Sequence, residues 1–399
     1  MMDPIGLQQI STAVDRLETW IEGEEFAGWD PFDALNSPIL SRLTFTNRRI
    51  GQIWVQLLKR SPVNLRPLLR VPKGRNPKAA GLFLASYWRK YLMTQDEDHL
   101  KRAQWFAQWL RENVSPGYLG SCWGYNFDWP NRVFFAPQGT PTIVGTATIG
   151  LAFMDILKLP ARSADPEFEK NALKTARSAC EFLLRNLHLT RPSADELCFS
   201  YTPLDRTFIH NANLLGGSLL AEVAAATSEA DLAAAAQASA RYSANRQRRD
   251  GSWAYGEGSQ YAWVDGFHTG YVLVALKRIG AALATTEFEQ AVERGYEYWR
   301  NVFFTQKGVP RYYSESTYPI DAHGVAQAIL TFLEFTDQDP EAGDRAARTA
   351  LWATDHMQGS AGYFHYQIHR TYRIRIPYMR WSQAWMHRAL VELQRRTVN

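Results

Sequence analysis

Residues 205–226 read DRTFIHNANLLGGSLLAEVAAA: an acid, a histidine, then a helix-length run made almost wholly of apolar and small residues. The same order returns in 265–276, DGFHTGYVLVAL, and in 321–333, DAHGVAQAILTFL. A helix that is apolar nearly all round must be buried, and its small residues let neighbours approach closely. Runs of this character cover 77–93, 141–157, 211–227, 268–280, 322–335 and 379–396. Between them lie charged, amphipathic segments at 97–113, 167–187, 230–248, 287–303 and 341–357. In 167–187, Phe168, Ala172, Ala176, Ala179 and Leu183 recur every three or four residues and form one apolar stripe. Such helices form an outer layer with one face in water.

The beat from one inner helix to the next is roughly 55–70 residues, the scale of a repeated helical hairpin. A hairpin that cannot bury its inner face alone stacks on its neighbours. Six of them close into a ring, so the expected fold is all-α, an (α/α)6 toroid with an inner and an outer layer. An open solenoid is the rival. Closure is preferred because the count is near six and the inner helices lack a polar concave face. No strand–turn–helix alternation points to a parallel sheet.

Two regions are expected: a helical extension over 1–75 that packs on the ring, and the toroid over 76–399. The extension holds a helix from Gly6 to Glu22, suited to supply a missing outer partner, and another from Asn47 to Lys59. Between 61 and 77 four prolines interrupt helix.

Hydrophobic residues are 46% and charged residues 21% of the 399, ordinary for a globular chain. The net charge of +4 is mild, and the basic clusters Arg246–Arg249 and Arg373–Arg375 are too short for a nucleic-acid groove. Three widely spaced cysteines (Cys122, Cys180, Cys198) form no CxxC pair and fit reduced thiols in a cytoplasmic protein. The first twenty residues do not read as a secretory signal, and no apolar run is long enough to span a membrane. There is no Walker loop, no GxGxxG and no GxSxG, so neither cofactor nor metal is called for.

In a closed ring the acid–histidine clusters face one mouth. The catalytic candidates are therefore Asp205, Asp265, Asp321, His210, His268 and His323. Glycan hydrolysis uses two carboxylates, one as acid and one as base or nucleophile. A helix N-terminus disfavours a charged imidazole while a nearby carboxylate favours it, which places a histidine near neutrality. The plainer readings stand beside these: Asp265 and Asp321 as helix N-caps, and single histidines as structural residues.

The chain carries 14 Trp, 18 Tyr and 20 Phe, many beside polar loop residues where a ring can stack on a sugar face. Substrate-binding candidates are Trp123, Tyr125, Asn126, Asp128, Trp129 and Asn131 in one loop, with Tyr201, Asn211, Tyr255, Trp263, Tyr271, Tyr312, Tyr313, Tyr378 and Trp381 elsewhere. Arg206, Arg311 and Arg380 are suited to grip a uronate carboxylate.

Two loops share a spacing: Gln247-Arg248-Arg249-Asp250-Gly251-Ser252-Trp253 and Gln358-Gly359-Ser360-Ala361-Gly362-Tyr363-Phe364. This resembles the Gln–Trp turn of squalene-cyclase and prenyltransferase toroids, an architectural motif. The Asp-x-Asp-Asp acid of the cyclases is absent. Segments such as FSYTPLDRTFIHNANLLGGSLL, WVDGFHTGYVL and YMRWSQAWM also resemble a bacterial family of toroid proteins from exopolysaccharide and lipopolysaccharide biosynthesis clusters. That resemblance implies a glycan or glycolipid substrate, not a reaction. The first expectation is a glycoside hydrolase working through paired carboxylates. The alternatives are a uronate lyase or C5 epimerase using His and Tyr with Arg, a non-catalytic member of a polysaccharide assembly complex, and an isoprenoid-binding toroid.

Overall fold

A computed structural model describes residues 4–44, 47–131, 134–158 and 165–398. The six inner helices are α4 (Pro77–Thr94), α6 (Ile143–Lys158), α8 (His210–Thr227), α10 (Gly266–Ala282), α12 (Ala322–Glu334) and α14 (Ala384–Val398). Each packs on the next, and α14 returns to pack on α4, so the ring is closed. The outer layer is α5 (Glu97–Glu112), α7 (Pro166–Asn186), α9 (Ala230–Ala244), α11 (Glu289–Val302) and α13 (Ala342–Met357). Helix α1 (Pro4–Gly23) lies against α13 and α14. The architecture is the (α/α)6 toroid that the alternation of apolar and amphipathic runs implies.

Glycines set the spacing of the inner staves. A Cβ on Gly81 would sit 2.8 Å from Ile149 of α6, and one on Gly150 would sit 2.6 Å from Leu219 of α8. The loops tie the outer layer from hairpin to hairpin. Gln247 Nε2 donates to the carbonyls of Gly251 and of Ala291 in α11, and Gln358 Nε2 donates likewise to Gly362 and to Ala13 in α1. Gly251 and Gly362 have φ of +90° and +98°, and each is pressed against a main-chain carbonyl of the next outer helix, Arg294 or Arg16. Glycine is needed there for both the left-handed φ and the close approach.

The inner helices begin at one end of the ring, and a repeated main-chain bond fixes that end. The N–H groups of Ile143, His210, Gly266 and Ala322 donate to the carbonyls of Tyr201, Tyr255, Tyr312 and Tyr366, at 2.9 to 3.1 Å. Met379 N does the same to Trp29 O at 3.0 Å. These residues are therefore the equivalent first positions of successive staves. The last stave starts with a π-helical turn over Met379–Gln383, which delays the regular helix by five residues.

Residues 28–75 fold against this end. Helices α2 (Pro38–Thr44) and α3 (Arg48–Arg60) enclose a small core of Ala34, Leu40, Val55, Leu58 and Val71. Buried Arg66 ties it together, donating to Asp33 at 2.7 Å and to the Asp30 carbonyl at 2.9 Å.

Candidate functional site

The repeated bond gives each stave a register. Second positions are Asn211, Phe267, His323 and Arg380; third positions are Ala212, His268, Gly324 and Trp381. One residue along a helix turns a side chain by about 100°. His210 is a first-position residue, His323 a second and His268 a third, so the three histidines are not equivalent in register. His210 contacts Ser243 of α9 through Nδ1 at 3.3 Å and Glu257 through Nε2 at 3.0 Å.

Asp205 is likewise no partner in the mouth. Its carboxylate accepts bonds from the backbone of Tyr201, Thr202 and Thr207 and from the hydroxyls of Thr202 and Thr207, at 2.6 to 3.3 Å. Every lone pair is spent on the turn that feeds α8.

Asp265 caps α10 through His268 N at 2.9 Å, and its other oxygen meets His268 Nδ1 at 2.6 Å and Trp263 Nε1 at 3.1 Å. His268 is thus held by the acid three residues before it, and among the described residues no hydrogen bond to its Nε2 is found. Its ring lies 4.5 Å from Tyr255 and 3.9 Å from Phe267, between centroids.

Asp321 caps α12 through His323 N and Gly324 N and accepts from Gln367 at 2.7 Å and Trp381 Nε1 at 3.0 Å. Burial raises its pKa against these donors and the Lys59 charge. His323 is buried, stacked 4.6 Å from Trp385 and edge-on to Trp381 at 4.7 Å. Burial, then the charges of Lys78, Arg380 and His268, hold it well below the ordinary histidine value, so the ring is neutral at physiological pH. Its Nε2 meets the Tyr271 hydroxyl at 2.8 Å, and its Nδ1 is buried with no partner. Phe267 neighbours both histidines, 3.9 Å from one and 5.2 Å from the other, which limits their centroids to at most 9.1 Å apart.

Three cations that the sequence reading left out, or placed differently, border this pair. Lys78 of α4 is buried with its Nζ 5.3 Å from the Trp385 ring. Burial and the nearby Arg380 pull its pKa down to about 7, with Asp30 opposing. Lys59 of α3 reaches over Phe32 at 4.6 Å and Trp381 at 5.8 Å, and burial lowers its pKa. Arg380 is clamped by both oxygens of Asp30 at 2.6 and 2.8 Å and lies 4.8 Å above Tyr125. Its fork is used within the protein rather than open to a uronate.

The other candidates divide by place. Tyr125, Trp129 and Tyr201 form one aromatic wall, with Trp129 5.9 Å from Tyr125 and 5.5 Å from Tyr201. Tyr255 and Trp263 are stacked at 4.6 Å. Tyr312 packs on Phe267, and Tyr313 is exposed beside it. Asn211 is buried with Oδ1 unpaired, and it lines one cavity with Tyr255, Asp265 and His268. Asn126 is taken up by Asn36 and Asn76, Asn131 by Gln52 and Phe134, and Asp128 by Gln138 N. Trp123 lies in the ring wall, its Nε1 on the Leu110 carbonyl of α5. Tyr378 is buried against Tyr366 and under Arg66. Arg311 has an unpaired buried Nε, and Arg206 is exposed.

Sequence reasoning missed Lys59, Lys78, Asp30, Trp29 and Tyr366. Only Tyr366 was within reach: Tyr201, Tyr255, Tyr312 and Tyr366 are spaced by 54 to 57 residues, the beat of the hairpins. Among the described residues no His, Cys, Asp and Glu cluster could hold a metal ion.

The chain matches no family model. It also matches no curated protein. Solved structures resemble it. Cellobiose 2-epimerase from Bacillus thermoamylovorans aligns over 81% of this chain and 88% of its own, with a TM-score of 0.62 and 11% identity. An unsaturated glucuronyl hydrolase specific for heparin aligns over 97% and 96%, with a TM-score of 0.62 and 11% identity. A GH76 α-mannanase from Bacteroides thetaiotaomicron aligns over 83% and 90%, with a TM-score of 0.59 and 8% identity. At such identities the likeness is one of fold: this chain is built as those α/α toroids are built.

Proposed function

We propose that this chain is a carbohydrate-active enzyme that moves a proton at a carbon beside a sugar carbonyl, as an epimerase or isomerase does. One observation carries the reading. An imidazole oriented by a carboxylate, His268 on Asp265, stands within 9.1 Å of a buried neutral imidazole, His323, at the start of the neighbouring inner helix. The reaction requires a base on one side of the reacting carbon, an acid on the other and a sink for the enolate charge.

In the tautomer with Nε2–H donating to Tyr271, the Nδ1 lone pair of His323 is free to accept the proton. The electron pair left on carbon moves onto the carbonyl oxygen, where Lys78 supplies positive charge. His268 returns a proton through Nε2, and the Asp265 carboxylate balances the charge of its protonated ring. The unpaired Oδ1 of Asn211 leaves a hydrogen-bond acceptor beside His268. The aromatic walls at Tyr125–Trp129 and Tyr255–Trp263 offer faces for sugar rings. A cellobiose 2-epimerase among the structural neighbours agrees with this choice.

Paired-carboxylate hydrolysis is favoured less. Asp205, Asp265 and Asp321 are each engaged by three or more donors, and none is left facing a bond to be cut.

The test is incubation with a panel of reducing mono- and disaccharides in deuterium oxide, read by NMR. Deuterium at C2 and the appearance of the C2 epimer or the ketose are expected, both lost in His268→Asn and His323→Asn. Release of free sugar from a glycan with no deuterium incorporated would overturn the assignment.

A further inference from the structure

Helix α3 is turned inside out for a water-facing surface. Its sequence, RRIGQIWVQLLKR, buries Gly51, Val55 and Leu58, the last two in the small core with Leu40 and Val71. The opposite face carries Ile53 and Leu57, 56% and 55% exposed, four residues apart and therefore adjacent on the helix surface. Arg49 and Arg60, both exposed, flank them.

The pattern continues beyond the helix. Ile39 and Leu43 of α2 and Val63, Leu65 and Leu68 in the loop after α3 are also exposed, Leu68 at 77%. Residues 39–68 thus hold seven of the twelve exposed large aliphatic side chains among the described residues. Scattered surface aliphatics are ordinary, but a concentration in one short segment marks a docking face.

Charge identifies the occupant. From Ala34 to Gln95 the chain contains no aspartate and no glutamate, while Arg42, Arg49, Arg60 and Arg70 are exposed in the same segment. Exposed apolar side chains flanked by arginines, in a segment without any acid, fit the headgroup and acyl boundary of an anionic bilayer. None of the described helices is long and apolar enough to cross a membrane, so the contact would be peripheral.

The geometry points to the outer face of α2, α3 and the 63–68 loop as a docking surface for an anionic lipid membrane, which places the mouth of the ring beside the bilayer. The inner side of α3 already reaches that mouth: Lys59 lies over Trp381, and Gln52 donates to the Asn131 carbonyl. A sugar carried on a lipid would then meet the site without leaving the membrane surface. The docking itself does not depend on which reaction the mouth performs.

The test is co-sedimentation of the full chain with vesicles of phosphatidylglycerol mixed with phosphatidylcholine, against vesicles of phosphatidylcholine alone. Binding to the anionic vesicles that weakens with salt is expected, with little binding to the neutral ones. Ile53→Asp with Leu57→Asp should weaken it at least about tenfold, while Leu119→Asp, an exposed leucine far along the chain from this face, should leave it unchanged. Arg49→Glu with Arg60→Glu should weaken it and flatten the salt dependence. Circular dichroism of each variant shows that the fold persists. Absence of binding to anionic vesicles overturns the proposal. So does binding indifferent to Ile53 and Leu57, or a dimer in solution that the aspartate pair dissociates while vesicles go unbound.

Discussion

At the scale of single residues, the mouth separates structural groups from reactive ones by what each polar atom already touches. His210 has partners on both ring nitrogens, whereas His323 Nδ1 is unpaired and no bond to His268 Nε2 is found among the described residues. His268→Asn and His323→Asn should each lower turnover about 10²–10⁴-fold with the fold intact. His210→Asn should spare turnover and lower the melting temperature. Because His323 is held neutral well below 6.5, the acid limb of kcat/KM should lie below that value rather than at it. Lys78 gives a prediction with the opposite sign to a salt-bridged lysine. Its folded value of about 7 lies below the ordinary 10.5. The unfolded chain therefore binds the extra proton between those limits, and stability rises with pH across that window. Burying the charged amine costs several kcal/mol, fully present below about pH 7 and gone above about 10.5. Lys78→Met should melt several degrees higher than the parent near pH 6 and lose that advantage toward pH 10. It should also turn over more slowly, because the enolate charge loses its cation. A melting difference that does not change with pH would mean that burial does not depress the pKa of the amine. An amine costly to bury, with no ion pair among the described residues, is the kind of residue retained for function rather than stability.

At the scale of helices, the sequence displayed its alternation because two periodic signals differ in kind. Inner runs such as 211–227 are apolar all round, and outer ones such as 167–187 show a single stripe, so each helix was legible to within a few residues. Phase was not legible. Acid, histidine and helix recur three times, yet Asp205 stands four residues before its helix boundary while Asp265 and Asp321 are the caps themselves. A shift of that size changes which side chain faces the mouth and leaves composition and spacing nearly alone. Close approach of the staves is testable at the same scale. Alanine is the better helix former by about 1 kcal/mol, so a glycine inside a helix needs a reason. At Gly343 in the first turn of α13 a Cβ would meet only Thr336, 4.0 Å away. At Gly81 it would press on Ile149, including the main chain at 3.3 Å. Gly343→Ala should stabilise by up to about 1 kcal/mol, and Gly81→Ala should destabilise by about 1–2 kcal/mol through overpacking. Urea midpoints measured side by side decide the matter, and a stabilising Gly81→Ala would show that α4 and α6 are free to move apart.

At the scale of the molecule, the decisive feature is that the first helix and the last complete one another. Contacts between residues some 350 apart carry no periodic signature, so Asp30 on Arg380 and Glu18 on His387 were invisible in the sequence. Glu18 of α1 is the clasp. It bonds His387 Nε2 of α14 at 2.7 Å and pairs with Lys90 of α4, so one carboxylate touches both staves of the closing seam. Burial works to raise its pKa, but the His387 bond and the charges of His387 and Lys90 outweigh that and hold it at about 2, below the ordinary 4.5. A depressed carboxylate contributes stability that is complete above about pH 4.5 and is lost as pH falls toward 2. Glu18→Gln should remove that part of the acid sensitivity. Glu18→Ala should cost about 3–5 kcal/mol, because His387 and Lys90 stay buried without their partner. Removing residues 1–23 tests closure itself. In an open array each repeat contacts only its neighbours, so loss of a terminal helix trims stability by one increment and leaves the far repeats as they were. In a ring the same loss uncovers the apolar faces of α13 and α14 and cuts the bonds from Gln358 to Ala13 and from Arg16 to Gly359. The seam between α14 and α4 would also lose the residue that clasps it. The truncated chain should therefore unfold at much lower urea, and hydrogen exchange should rise in α4 as well as in α14. Exchange confined to α13 and α14, with α4 protected as before, would mean that the ring is held shut without its first helix.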